Sequence, residues 1–323
     1  MIISKTPFRI SFAGGGSDLK EYYLNHGGAV LSVAIDKHVY LSMHPYFNDD
    51  KYLLKYSNIE LVDNVDKIKH QIIREVFKQY NISGVDFNSS ADIPSGTGLG
   101  SSSAFTSGLI TLCNAYLGKY ISREDIAKEA CDIEINKLNE PIGKQDQYAC
   151  AIGGLNFIEF NENDKVAVEK IKLSPAKSDK LENNLLMFYL GNTRSAASIL
   201  TEQKLNTLTD ERKVENLHKM VALAYDLKKE LTSSNVESIG EILHTGWIYK
   251  KELASNVSNQ NIDYYYDRAI KAGATGGKLL GAGGGGFLLF YVDSNYHESV
   301  RAALIDLFEL KFKFDYTGTS IIF

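Results

Sequence analysis

Apolar and polar positions alternate at the start of the chain, where FRISFA sets Phe8, Ile10 and Phe12 against Arg9 and Ser11. That period of two predicts a strand with one face toward the core. GGAVLSVAI and KHVYLSMHPY read as two further β-rich stretches, the second placing Val39, Leu41 and Met43 opposite Tyr40, Ser42 and His44. Between them and the first strand lies a glycine turn, after which Asp18 is placed to cap a short helix, LKEYYLNH, ended by Gly27 and Gly28. The spacing predicts an amphipathic helix over about 66–80, then a strand in VDFNSSADI. The apolar run SAFTSGLITLCNAYLG predicts a helix from about 101 to Gly118. SREDIAKEACDIEINKL predicts another, opened by Ser122 with Asp125 three residues on. Pro141 and Gly143 break the chain before a short helix with Lys144 and Asp146 in its first turn, and GGLNFIEF begins a closing strand pair.

KLSPAKSDKLENN is polar and contains Pro175, which divides the chain into domains 1–175 and 176–323. The second half opens with the strand LLMFYL. Three helices follow at about 210–231, 236–254 and 261–272, then KLLGAGGGGFLLFYV. Its four glycines, 283–286, are bracketed by apolar strand residues, so they mark close backbone approach rather than a linker. A helix near 295–310 and strands within FKFDYTGTSIIF complete the second domain. The pattern is α+β, without internal repeats.

Composition narrows the partners. Lys and Arg total 35 against 40 Asp and Glu, a net charge of −5, so nothing global attracts nucleic acid or anionic lipid. Any phosphate site must be local, and an RNA-binding reading lacks a basic stripe with aromatic residues. Cys113, Cys131 and Cys150 match no zinc spacing and are expected as buried free thiols in a reducing compartment. No secretory signal or membrane-length apolar run is seen, and the expected location is cytoplasmic with no membrane partner.

The chemistry gathers around DIPSGTGLGSSSAF. Glycines at 96, 98 and 100 allow positive φ and close approach to an anion, while the first-turn N–H groups of the following helix point at it. The serines can cap that helix or bind a phosphate oxygen or magnesium. Glu134 falls on the apolar face of its helix. It either snorkels, pairs with a buried lysine, or holds a metal ion jointly with a serine hydroxyl. Asp146 either complements a helix dipole or accepts from a substrate hydroxyl. Arg9 is either an exposed strand arginine or a ligand-facing charge running into the glycine turn.

Three segments in order, TPFRISFAGGGSD, DIPSGTGLGSSSA and KLLGAGGGGF, resemble the three motifs of the GHMP kinases. The resemblance implies a two-domain fold, with an amino-terminal β-α domain of ribosomal-protein type and a ferredoxin-like carboxy-terminal domain. It also implies ATP-dependent phosphorylation of a small molecule with Mg2+. Pro94, Ser95, Gly96, Thr97, Gly98, Leu99, Gly100, Ser101, Ser102 and Ser103 would then form the ATP-binding loop, Ser102 and Glu134 would hold magnesium, and Asp146 with Arg9 would be catalytic. Gly14, Gly15, Gly16, Ser17 and Asp18 would face the substrate, with Gly284 and Gly285 from the third motif. PFRISFAGGGSD with GGAVLSVAIDKHVYL is most similar to the D-glycero-D-manno-heptose 7-phosphate kinases and fucokinase-type sugar kinases. This implies transfer to an anomeric 1-hydroxyl for GDP-heptose and surface polysaccharide synthesis. The alternatives are a kinase of a free sugar, or a non-catalytic sugar and nucleotide sensor. A phosphorylated sugar needs a second anchor, assigned to Arg194 with Lys144 as helper.

Overall fold

The computed structural model describes residues 1–48, 50–191, 196–233 and 235–323. β1 (Ile2–Ala13) pairs antiparallel with β2 (Gly28–Pro45), and α1 (Lys20–His26) lies in their connection. The two β-rich stretches expected after α1 are one strand of 18 residues. Its register against β1 shifts between Pro7 and Phe8, leaving Asp36 and Lys37 as a bulge. Proline, with no N–H to contribute, is tolerated at such an interruption.

β3 (Tyr52–Lys55) and β4 (Ile59–Val62) form a hairpin, and β3 lies parallel to β5 (Val85–Ala91). β2 changes neighbours along its length. Its second half pairs with β5 and its first half with β6 (Leu155–Phe160), which carries β7 (Val166–Lys170). The helices of this half are α2 (Gln71–Tyr80), α3 (Ser101–Tyr116), α4 (Arg123–Cys131) and α5 (Gln145–Ile152); α3 and α5 pack directly on β1 and β2.

α6 (Pro175–Asn184) occupies the polar stretch expected as a boundary, with proline in its first turn, and leads into β8 (Leu185–Tyr189). Next come α7 (Ala196–Thr209), α8 (Glu211–Ser233), α9 (Ile239–Lys251), α10 (Gln260–Lys271), β9 (Ala274–Leu279) and β10 (Phe287–Val292). α7 had no counterpart among the expected helices. The helix expected near 295–310 is the short α11 (His297–Ala303), because the chain then turns into the edge strand β11 (Phe308–Glu309). The second sheet is antiparallel in the order β11-β8-β10-β9. Leu185, Met187, Phe287 and Leu289 enter the core shared with the first sheet, while Leu186, Phe188, Leu288 and Phe290 pack with Trp247 on the other side. Burial on both faces explains the unbroken apolar run FLLFYV.

The last strands do not finish the second sheet, as the sequence suggested. Phe314 bridges to Ile35, and β12 (Ser320–Ile321) pairs with β1, so the tail closes the first sheet's edge. The three cysteines are buried and free. Among the described residues, no helix is long and apolar enough to cross a membrane.

Candidate active site

β5 passes through residues 92–100 into α3, the strand, loop and helix order that an anion-binding loop requires. Gly98 has φ of 85°, and a Cβ there would lie 2.5 Å from the Leu280 carbonyl oxygen. A Cβ on Gly286 would similarly meet the Thr97 carbonyl oxygen at 2.4 Å. The second and third glycine segments therefore touch backbone to backbone, which side chains would prevent.

Arg9 joins this loop to α5. Its Nε donates to Asp146 Oδ1 at 2.7 Å and its Nη2 to Oδ2 at 2.8 Å, while Nη1 donates to the Gly98 carbonyl at 2.7 Å. The Arg9 main-chain N–H also donates to the Leu99 carbonyl. Arg9 is buried, so the exposed-strand reading is excluded; Asp146 keeps a quarter of its side chain open to the cleft. Burial opposes the guanidinium charge, but Asp146 outweighs it and the Arg9 pKa is raised. Arg9 and Asp146 thus form a fixed bidentate pair that neutralises and orients the carboxylate.

Asp18 is not the expected helix cap. α1 begins after Leu19 with no side-chain cap, and the Asp18 carboxylate is used elsewhere. Oδ1 accepts from the Gly16 N–H and from Gln145 Nε2, and Oδ2 accepts from the Gln145 N–H. A Cβ on Gly143 would lie 2.0 Å from Oδ2, so glycine there admits the carboxylate to the start of α5. Burial, with Asp146 nearby, raises the Asp18 pKa.

Glu134 is fully buried, and the snorkelling and lysine-paired readings both fall away. Oε1 accepts from Ser102 Oγ at 2.6 Å; Oε2 accepts from Ser103 Oγ and Gln147 Nε2, each at 2.8 Å. Burial raises its pKa while these three donors oppose the rise. The helix expected to run unbroken through Glu134 ends at Cys131 and widens into a π-helical turn, Asp132–Lys137, a device common at functional sites. Ser102 is exposed, so its hydroxyl and Glu134 form a hard oxygen set between the loop and the buried carboxylate. That donor set fits magnesium.

One cleft of about 320 Å³ collects these groups except Glu134, which lies behind Ser102 and Ser103 and outside the lining. Of the expected residues, Arg9, Gly15, Gly16, Asp18, Gly96, Gly98, Gly100, Ser101, Ser102, Ser103, Asp146 and Gly285 line it. Others frame it from behind. Ser17 Oγ donates to the Gly14 and Ala29 carbonyls, Thr97 Oγ1 donates to the Pro94 carbonyl, and the Gly284 N–H donates to the Val257 carbonyl. Gly14 lies against Ala29, Leu99 is buried, and Ser95 is exposed outside the lining.

Lys144 corrects the expectation most clearly. Its Nζ lies 2.6 Å from Asp164 and 5.1 Å from the centre of the Tyr23 ring, in a neighbouring recess; Lys144 is also the residue before α5, not part of its first turn. The local carboxylate takes the charge that was expected to face a phosphate. Arg194 lies outside the described residues.

Several lining residues were missed in the sequence: Ser11, Gln145, Gln203, Lys250 and Lys278. Ser11 Oγ, Gln145 Oε1 and Gln203 Nε2 are buried with no hydrogen-bond partner among the described residues. Unsatisfied polar groups on a cleft wall are suited to a ligand rich in hydroxyls.

Residues 66–154 match the GHMP kinases N terminal domain, and residues 227–310 match the GHMP kinases C terminal region. The chain is 32% identical over 315 residues to a D-glycero-alpha-D-manno-heptose 7-phosphate kinase of Campylobacter jejuni, covering 94% of this chain and 93% of that one. It is 25% identical over 348 residues to a galactokinase of Pyrococcus furiosus, covering 96% and 94%. A crystal structure of a D-glycero-D-manno-heptose 1-phosphate kinase from Bacteriodes thetaiotaomicron superposes with a TM-score of 0.81 at 26% identity, covering 99% and 98%. With both terminal regions matched in order and the glycine segments meeting at one cleft, the chain belongs to the GHMP kinases and is an ATP-dependent kinase of a small molecule.

Proposed function

We propose that this kinase transfers the γ-phosphoryl group of ATP to the anomeric 1-hydroxyl of D-glycero-D-manno-heptose 7-phosphate, giving the 1,7-bisphosphate. The likeness to the Campylobacter jejuni enzyme over nearly the whole of both chains supports the choice of sugar. The names of the two heptose kinases differ in the position of the phosphate, so the 1-hydroxyl rests on the resemblance in the first motif. The Arg9–Asp146 pair, bidentate and open to the cleft beside the glycine loop, is the observation that carries the chemistry.

In this reading the N–H groups of the loop and of the first turn of α3 hold the triphosphate. Asp146 accepts the proton of the sugar hydroxyl, whose oxygen forms the new bond to the γ-phosphorus as the bond from that phosphorus to the β,γ-bridging oxygen breaks. Arg9 keeps Asp146 oriented. Asp18, Gln145, Gln203 and Ser11 hold the remaining sugar hydroxyls. Ser102 and Glu134 would hold Mg2+, which supplies charge neutralisation for the phosphates. A sugar 1-phosphate is the kind of product that a nucleotidyltransferase consumes, in keeping with a role in GDP-heptose and surface polysaccharide synthesis. Coupled ADP release with heptose 7-phosphate, fucose and mannose tests the reading. Turnover confined to a free sugar rejects the phosphorylated acceptor, and nucleotide binding without turnover on any sugar rejects catalysis.

A further inference from the structure

Two lysines on the cleft wall have no role in the chemistry above. Lys250 comes from the last turn of α9 and Lys278 from β9; they are 9% and 5% exposed. Among the described residues neither reaches a carboxylate within ion-pair distance. Lys250 Nζ donates to the carbonyls of Leu279 and Gly281, and Lys278 Nζ donates to the Phe12 carbonyl at 3.0 Å. Carbonyls orient an ammonium without cancelling its charge, and buried charges in folded proteins are normally paired. Each ammonium has three donors, so both retain hydrogens beyond those contacts. The nearby cation, Arg9, is already matched by Asp146 and adds repulsion instead of relief. Burial and that repulsion bring Lys250 down to about 7 and hold Lys278 well below the usual lysine range. Two desolvated amines on one cleft wall, with spare donors and no carboxylate among the described residues, make a site where an arriving anion supplies the missing countercharge and favours their protonated forms.

We propose that Lys250 and Lys278 form a phosphate subsite that binds the phosphate already carried by the sugar. The placement of Lys278 favours the acceptor over the nucleotide, while Lys250 reaches the subsite from the third glycine segment, at the carbonyls of Leu279 and Gly281. Lys278 is anchored on Phe12, two residues before the turn whose Gly15, Gly16 and Asp18 line the cleft. The nucleotide's phosphates have their own cradle in the glycine loop and α3. Assignment to the acceptor rests on the sugar-phosphate reading; the anion subsite itself does not.

The test has two arms, using wild type, Lys250→Met, Lys278→Met and the charge-keeping Lys250→Arg. In the first, the enzyme is saturated with ADP, so that the loop is filled, and inorganic phosphate is titrated while its effect on thermal melting is followed. Wild type and Lys250→Arg are expected to bind phosphate within about threefold of each other, and the two Met variants at least tenfold more weakly. Equal phosphate binding by all four proteins overturns the subsite. In the second arm, KM is measured for heptose 7-phosphate and for ATP. A rise of tenfold or more for the sugar phosphate, with ATP within twofold, supports the acceptor assignment. A rise for ATP alone, or for both equally, transfers the lysines to the nucleotide and overturns it. If heptose 7-phosphate is not turned over by wild type, the first arm still decides the subsite while the failure belongs to the sugar assignment. Should either Met variant fail to melt cooperatively, Lys250→Gln and Lys278→Gln are read by the same criteria.

Discussion

Arg9 and Asp146 meet through two parallel hydrogen bonds of 2.7 and 2.8 Å, although they lie 137 residues apart. The same guanidinium reaches the Gly98 carbonyl, so one side chain ties β1, the glycine loop and α5 together. The carboxylate is thereby held at one place and one angle beside the loop. Positioning of this kind supplies much of the rate in phosphoryl transfer.

In the proposed mechanism, replacing Asp146 by Asn removes the proton acceptor while keeping the shape. Turnover is expected to fall by about 10²–10⁴-fold. ATP affinity, which the proposal assigns to loop and helix groups, should change less than threefold. Single-turnover kinetics with a separate nucleotide-binding titration measure both. Near-normal turnover would remove Asp146 from the mechanism. Arg9→Lys should act in the same direction, because an ammonium cannot make the paired bonds to both carboxylate oxygens.

Glu134 separates stability from function. It is a fully buried carboxylate held by Ser102, Ser103 and Gln147, and its pKa is raised by burial. Glu134→Gln relieves the desolvation of a charge and retains most of the hydrogen-bonding geometry, so unfolding free energy should change by no more than about 1 kcal/mol. Weaker metal binding should appear instead as a Mg2+ requirement raised tenfold or more. A loss of stability with unchanged Mg2+ dependence would make Glu134 a purely structural group.

Local signals explain what the sequence discloses. Alternation in FRISFA, the Ser122 cap with Asp125, and the glycine loop before α3 all operate over a few residues, and each is present in the fold. Lys250 stayed hidden because it stands beside Lys251 at a helix end, where a pair of lysines reads as a solvated terminus. Only the packing of α9 on β9 buries one and leaves the other exposed. Lys278 did leave a trace, a lone charge within the otherwise apolar and glycine-rich ATGGKLLGAGGGG. Gln203 gave none, since α7 itself was not anticipated. Asp18 shows a different failure: its position fits a cap, but the N–H groups of Gly16 and Gln145 compete for the carboxylate and win.

The contact between Gly98 and the Leu280 carbonyl makes a further test. Gly98→Ala combines positive φ with a 2.5 Å clash against backbone, which cannot rotate away. A destabilisation of about 1–3 kcal/mol is expected. ATP affinity should fall with it, because the loop must withdraw from the third glycine segment. Denaturant unfolding and nucleotide titration of the variant measure the two losses. Wild-type values for both would mean that the loops are free to separate.

The buried lysines predict an unusual pH dependence. Lys250 has a pKa of about 7 in the folded protein against an ordinary value of 10.5. Between those values the unfolded chain holds a proton that the folded protein lacks, so Lys250 makes stability rise with pH, by at most about 1.4 kcal/mol per unit. The Arg9 guanidinium, paired to Asp146, and the Lys278 amine, itself held well below the usual lysine range by burial, face it. Unfolding at pH 7.0 and 8.5 in phosphate-free buffer, for wild type and Lys250→Met, isolates its contribution. Wild type should gain stability relative to the variant as the pH rises, and added inorganic phosphate should reduce that gain by favouring the protonated lysine. Parallel pH profiles for the two proteins would place the Lys250 ammonium in solvent, against the burial that leaves it 9% exposed.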